Sequence, residues 1–168
     1  MKSILSMDRI RYGGAKMPKF QKYYRKAQQS SNPLLKLLYK ALFKKYRDKN
    51  HIELSVDTEI GEGLYFGHPY CITINSKAKL GKNINIHKGV TIGQENRGKR
   101  QGVPTIGDNV WIGINATIVG NIHIGNDVLI APNAYVNCDV SDHSVVFGNP
   151  CQIKHRDNAT ESYINRKI

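Results

Sequence analysis

The stretch Pro104–Val136, PTIGDNVWIGINATIVGNIHIGNDVLIAPNAYV, repeats every six residues. Neither the 3.6-residue period of a helix nor the two-residue period of a single strand produces this spacing. Glycine, asparagine and aspartate crowd the positions between the repeated residues, and these types tolerate tight-turn backbone. Each hexad therefore predicts a very short strand followed by a turn. The repeated aliphatic residues are Ile106, Ile112, Ile118, Ile124, Ile130 and Val136.

The same period extends upstream, with a shift of two residues after Phe66 and a break across residues 93–105. Fixed short periods of this kind indicate a β-solenoid, in which three hexads form one triangular coil, rather than a sandwich of antiparallel strands. We therefore predict an all-β solenoid with a loop extruded at the break. The upstream aliphatic positions are Ile60, Phe66, Ile74, Leu80, Ile86 and Ile92.

Length and composition bound the class of protein. The 168 residues suit one domain with an appendage. No apolar run reaches the roughly 18 residues of a membrane span, and the start, MKSILSMDR, has too short an apolar stretch for a signal peptide. The three cysteines show no disulfide or metal spacing. These features predict a cytoplasmic protein.

The net charge of +12 is concentrated in residues 1–50, where Asp8 and Asp48 are the only acidic residues. The segment NPLLKLLYKALFKKYRDKN predicts a helix, because Asn32 can cap it and Pro33 suits its first turn. Its leucine face either covers the open end of the solenoid, which we favour, or lies on an anionic membrane surface. We expect no nucleic-acid partner, because no binding motif accompanies the charge.

Several segments together carry a resemblance to a known family. Hexads of the form Ile-Gly-x-x-Val/Ala-x, the extruded loop and the closing VVFGNPCQI resemble the left-handed parallel β-helix acyltransferases. Within that family, IGEGLYFGHPYCITIN and LGKNINIHKGVTIG are most similar to the serine acetyltransferases. The resemblance covers about residues 52–155. We accordingly divide the chain into a basic helical segment, residues 1–50, a left-handed β-helix domain, residues 51–155, and a C-terminal tail, residues 156–168.

The resemblance implies an activity and an assembly. Members move an acetyl group from acetyl-CoA to a hydroxyl, and no metal is expected. They form homotrimers with active sites between neighbouring subunits, and some pair two trimers. A zinc-dependent hydration enzyme on the same fold is disfavoured, because His68, His87 and His123 lack the close spacing of a three-histidine site. A non-catalytic scaffold is a more distant alternative.

The resemblance also implies a general base, His68. An alcohol is a poor nucleophile at neutral pH, and a neutral imidazole has a suitable pKa to remove its proton. A carboxylate on the other ring nitrogen would orient the imidazole. The family has an aspartate fifteen positions before this histidine, and here that position is Glu53. Asp57 is the reserve carboxylate, and His87 is the reserve base because it follows the inward Ile86.

Donor and acceptor contacts are predicted from the same resemblance. Small residues at turns let backbone amides approach the pantetheine arm of CoA, and basic residues can pair with its phosphates. Basic residues on the extruded loop are candidates for binding the acceptor or those phosphates. The CoA candidates are Gly113, Ala131, Lys154 and Arg156, and the loop candidates are Arg97, Lys99 and Arg100.

The chain departs from the serine enzymes where they bind the amino acid. Gly67 stands where they have an aspartate, and Gly102 and Val103 replace an arginine and a histidine before Pro104. These changes remove serine-binding groups and leave the acetyl-transfer residues in place. We therefore predict that the acceptor is a sugar hydroxyl of a surface polysaccharide, with serine as the alternative. A lipid-linked glycan would place the protein at the inner face of the membrane.

Overall fold

The computed structural model describes residues 3–168, so Met1 and Lys2 of the predicted N-terminal segment lie outside the described residues. Three helices precede fourteen short strands. The helices are α1 (Ile4–Arg11), α2 (Lys19–Gln29) and α3 (Pro33–Lys49). The strands are β1 (Glu59–Ile60), β2 (Tyr65–Gly67), β3 (Thr73–Ile74), β4 (Lys79–Leu80), β5 (Asn85–His87), β6 (Thr91–Gly93), β7 (Thr105–Ile106), β8 (Trp111–Ile112), β9 (Thr117–Val119), β10 (His123–Ile124), β11 (Val128–Ile130), β12 (Tyr135–Val136), β13 (Ser144–Phe147) and β14 (Gln152–His155).

From β1 to β12, successive strands pass from one sheet to the next, so each sheet collects every third strand, and β13 and β14 extend the second sheet. The first sheet has the order β1-β4-β7-β10, the second β2-β5-β8-β11-β13-β14 and the third β3-β6-β9-β12. All pairings are parallel except that of β13 with β14. This is a three-sided parallel β-helix, which confirms the solenoid predicted from the six-residue period.

The repeated aliphatic residues form the core. Ile86 pairs with Ile112, and Ile112 with Ile130, so equivalent hexad positions stack from coil to coil. All three side chains are fully buried. Asparagines such as Asn109 and Asn115 turn the corners with positive φ values of 56° and 58°, a conformation that asparagine tolerates better than most residues.

The break in the period is a loop that leaves the solenoid and returns in register. Within it, Glu95 and Gly102 exchange backbone hydrogen bonds of 3.0 Å, and Arg100 forms an exposed ion pair with Glu95 at 3.2 Å. After the loop, Thr105 pairs with Lys79 of the preceding coil. The chain therefore resumes its coil where the core spacing requires, and the predicted extruded loop is confirmed.

Helices α1 and α2 are fastened to the first coils through a buried ion pair. Arg25 Nε donates to Asp8 Oδ2 at 2.8 Å, and the two side chains are 1% and 0% exposed. Asp8 also accepts from Gln21 Nε2 and from the backbone N–H of Leu64, each at 3.0 Å. Arg25 donates further to the Ile60 carbonyl at 2.8 Å. Every bond of this cluster joins one helix to the other or to the solenoid.

The prediction that the leucine face of α3 covers the open end of the solenoid is wrong. Leu34, Leu35 and Leu38 are 78%, 44% and 50% exposed. The reason is that α3 has a second apolar side made of aromatic residues. Phe43, on that side, packs on α2 and joins the core, which leaves the leucines facing outward. Membrane contact through these leucines stays a prediction.

The aromatic residues that do cover the first coil come from α2 and α3. Phe20 meets Phe66 with ring centroids 5.0 Å apart, and Tyr24 meets Phe43 at 5.7 Å. Tyr24 also donates its hydroxyl to the Thr58 carbonyl at 2.5 Å. These contacts close the hydrophobic core at this end. Within residues 3–168, no helix is long and apolar enough to cross a membrane.

The C-terminal tail folds back along the solenoid. Asp127 accepts hydrogen bonds from the backbone N–H groups of Ala159 and Thr160 at 2.9 and 3.0 Å. Further on, the Ile168 N–H donates to Asn83 Oδ1 at 3.0 Å. The tail thereby lies across the outer face of the second sheet, on the side where α1 also packs.

Candidate active site

His68 occupies the corner between the second and third sheets, directly after β2. Its φ of 52° is in the left-handed region, where histidine is among the more tolerated residues. The side chain is exposed. Among residues 3–168 it makes no hydrogen bond or ion pair. An exposed imidazole without a protein partner is free to contact an acceptor hydroxyl.

Among residues 3–168, neither candidate carboxylate forms a hydrogen bond or an ion pair with His68. Glu53 pairs through its backbone with β3, donating to the Ile72 carbonyl at 2.7 Å. Its exposed side chain lines an open groove of about 620 Å³ between α3 and the third sheet, together with Lys40 and Arg47. Asp57 is exposed in a turn. The proposed orienting role of either carboxylate stays a prediction.

His87 lies beside the position of His68. It pairs with Gly67, and a Cβ built on Gly67 would lie 2.5 Å from the His87 ring. The other neighbour of this ring is Trp111, at a centroid distance of 4.8 Å. Burial, followed by the proximity of His68, lowers the pKa of His87 below the usual 6.5. This shift favours the neutral imidazole, and within residues 3–168 the buried Nε2 has no hydrogen-bond partner.

A column of residues that share one corner of the solenoid, which we call the corner column, runs from His87 toward the C-terminal end of the solenoid. Because Ile86, Ile112 and Ile130 are in register, the residues that follow them, His87, Gly113 and Ala131, line one corner. The structure thus brings the reserve base and two CoA candidates together. Gly113 also has a packing reason, since a Cβ there would lie 2.6 Å from the Pro132 nitrogen.

The basic candidates are placed differently from one another. Lys154 Nζ lies 5.6 Å from the centroid of the Phe147 ring. Phe147 is the residue of the corner column that comes one coil after Ala131. Arg156, after β14, is exposed. The loop residues Arg97, Lys99 and Arg100 are exposed at the corner between the third and first sheets, so the sheet order places them at a different corner from His68 on the same chain.

Two arginines that the sequence analysis did not single out lie close to the corner column. Arg11 at the end of α1 and Arg166 in the tail line a cavity of about 230 Å³ whose wall includes His87. Neither arginine belongs to the hexad pattern, so the repeat carries no signal for them. They meet because α1 and the tail both pack on the outer face of the second sheet.

Comparison with known proteins agrees with this geometry. Residues 104–138 match the family described as bacterial transferase hexapeptide (six repeats). Serine acetyltransferase 2 of Arabidopsis thaliana is 35% identical over 130 residues, which cover 77% of this chain and 40% of the relative. Serine acetyltransferase of Staphylococcus aureus is 38% identical over 108 residues, 63% of this chain and 50% of the relative. The chain therefore spans half or less of these curated relatives.

Solved structures give the same result for the fold. The soybean serine acetyltransferase apoenzyme superposes with a TM-score of 0.73 at 25% identity, covering 90% of this chain and 69% of that one. The Neisseria gonorrhoeae enzyme in complex with serine gives 0.68 at 26% identity, with coverages of 90% and 67%. The fold is thus the left-handed β-helix of the hexapeptide-repeat transferases. No group of three potential metal ligands is present within the described residues.

Proposed function

We propose that this chain is an acetyl-CoA-dependent O-acetyltransferase with L-serine as its acceptor. The observation that carries the proposal is the corner column, in which Gly67, directly before the exposed His68, is in register with His87, and Gly113 and Ala131 follow, on a fold shared with serine acetyltransferases. One superposed structure is a serine acetyltransferase complex with CoA, at a TM-score of 0.67 and 26% identity, over 80% of this chain and 55% of that one. That likeness supports acetyl-CoA as the donor.

The chemistry requires one acyl transfer and two proton transfers, one to His68 and one from it. His68 removes the proton of the acceptor hydroxyl, and the oxygen attacks the thioester carbonyl of acetyl-CoA. The carbon–sulfur bond breaks, the acetyl group stays on the oxygen, and the protonated imidazole returns its proton to the leaving thiolate. Burial lowers the pKa of His87 beside this position, which favours its neutral form, so it adds no second positive charge next to the imidazolium formed in this step.

A sugar hydroxyl is the second candidate acceptor, and one contact favours it. Gly67 stands where the serine enzymes resembled here carry an aspartate, and the His87 ring occupies the space that a Cβ at Gly67 would need. A side chain could enter only if His87 moved. The serine ammonium would therefore need another partner. Against this, the relatives named above are serine acetyltransferases, which favours serine over the polysaccharide that the sequence predicts.

The acceptor is tested by steady-state assays of thiol release with L-serine and with a panel of sugars. We expect kcat/KM for L-serine to reach the ordinary enzyme range, about 10⁴ M⁻¹s⁻¹ or more, with sugars well below it. Omitting the acceptor controls for hydrolysis of acetyl-CoA. Efficient turnover of a sugar with poor turnover of L-serine would instead make the sugar the acceptor and return the function to glycan acetylation.

We further propose that the active unit is a closed trimer. On one chain, the basic loop and His68 occupy different corners of the solenoid, so a neighbouring subunit is needed to bring the loop to the base. A ring of three satisfies this for every subunit at once. Light scattering should give three times the 18.9 kDa of one chain, or six times if two trimers pair. A monomer at micromolar concentration would contradict the proposal.

A further inference from the structure

A small cavity beside the corner column has no role in the mechanism described above. It lies between α1, the second sheet and the tail, and has a volume of about 230 Å³. Taking about 30 Å³ per water molecule, this is room for roughly seven waters or one small organic group. We name it the arginine cavity, after Arg11 and Arg166, which line it together with Asn85, His87 and Tyr163.

Arg11 is buried there without a counter-charge. The residue is 3% exposed, and its Nη2 donates to the Asn85 side-chain oxygen. In the part of the chain that the structure describes, its Nε and Nη1 have no hydrogen-bond partner. The carboxylate of Asp8 is on the same helix but is already engaged by Arg25. Burial lowers the pKa of Arg11 to about 10, so the guanidinium remains charged at pH 7.

The rest of the wall adds donors and a second positive charge. Arg166 is exposed at the cavity, and neither it nor Arg11 forms an ion pair with any carboxylate among residues 3–168. His87 Nε2 is the third buried nitrogen without a partner on this wall. Buried polar groups are normally satisfied, and an orphaned set often marks a bound water or ion. A buried charge is especially costly without a partner.

We infer that the arginine cavity binds a small anionic group, a carboxylate or a phosphate. The planar guanidinium of Arg11 suits both oxyanions, and an anion would neutralise the charge that the protein leaves unpaired. Because His87 forms both a wall of this cavity and part of the corner column beside His68, the anionic group belongs to the acetyl acceptor. The assignment of the anionic group to the acceptor rests on the proposed function, whereas anion binding does not.

Titration calorimetry at constant ionic strength tests anion binding, with inorganic phosphate and succinate as separate probes. The variants are Arg11→Gln and Arg166→Gln. The matched control is Arg9→Gln, an exposed arginine on the same helix that does not line the cavity. We expect the wild type and Arg9→Gln to bind one probe per chain, and each cavity variant to bind about tenfold or more weakly, as expected for loss of a charged hydrogen bond.

The stronger of the two probes identifies the oxyanion. Equal affinity in all four proteins, or no binding heat with either probe at millimolar concentration, would overturn the inference. Circular dichroism establishes that each variant is folded. If Arg11→Gln is not, the exposed Arg166→Gln still decides the outcome.

The inference that the anionic group belongs to the acceptor is tested with L-serine and L-serinamide, because only L-serine carries a carboxylate. For Arg166→Gln we expect KM for L-serine to rise about tenfold or more with kcat retained, and KM for the amide to stay unchanged. Equal effects on both acceptors would reject this assignment. If no acceptor is acetylated by the wild type, the proposed function fails, and the calorimetric result still decides whether the cavity binds anions.

Discussion

Replacing His68 with alanine is expected to lower kcat by about 10²–10⁴-fold, the usual contribution of a positioned general base. The affinity for CoA should change little, because the imidazole acts on the acceptor hydroxyl. Because His68 is exposed, its replacement should leave the fold intact, and His68→Asn, which tolerates the φ of 52°, should show the same loss. Thiol release from acetyl-CoA measures the rate, and CoA titration measures the affinity.

His123→Ala is a matched control, since His123 is also exposed on the solenoid but belongs to a strand of the first sheet. It should leave the rate near that of the wild type. Glu53→Gln should give a smaller loss than His68→Ala if Glu53 orients the imidazole in the assembled enzyme. A near-normal His68→Ala together with an inactive His87→Ala would move the base to His87.

Asp8→Ala is expected to destabilise the fold by about 3–5 kcal/mol, the range for breaking a buried ion pair by removing one partner. The variant leaves the Arg25 side chain, at 1% exposure, without its carboxylate partner. It also removes the hydrogen-bond acceptor of the Leu64 backbone N–H. Such a loss is a large share of the roughly 5–15 kcal/mol that stabilises a typical protein. Urea unfolding followed by circular dichroism measures it, at a fixed protein concentration because assembly adds stability.

Asp48→Ala provides the comparison for this loss. Its ion pair with Arg47 measures 2.9 Å, close to the 2.8 Å of the Asp8–Arg25 pair, but the Asp48 and Arg47 side chains are 51% and 27% exposed. Exposed pairs contribute about 0–1 kcal/mol, so this variant should unfold close to the wild type. Similar unfolding midpoints for the two variants would show that burial does not set the strength of the Asp8–Arg25 pair.

The fold could be predicted because one physical constraint repeats. Each coil needs an inward aliphatic residue at a fixed place. The loop is recognisable in the sequence because the period stops at Ile92 and resumes at Ile106. The orientation of α3 could not be predicted in this way. That helix has two apolar sides, and the contacts of its aromatic side with α2, such as Phe43 with Tyr24, determine which one is buried.

The same distinction, between contacts set by the repeat and contacts set by tertiary packing, applies to the candidate site. His68 was predicted from the family resemblance and His87 from its place after the inward Ile86 of the repeat. The arginine cavity was missed, since Arg11 and Arg166 are separated by most of the chain and meet only through tertiary packing. A period reports what each coil shares with the next, so it cannot report contacts made by segments outside the coils.

The loop at residues 93–105 can change in length and sequence independently of the coils on either side of it. Glu95 and Gly102 close it at its base, and Thr105 re-enters in register with Lys79 regardless of what lies between. Residues can therefore be inserted into or removed from its tip without moving Gly67, His87 or Gly113 relative to one another. Under the proposed function, new acceptor contacts can be introduced at the tip while the spacing of the corner column is retained.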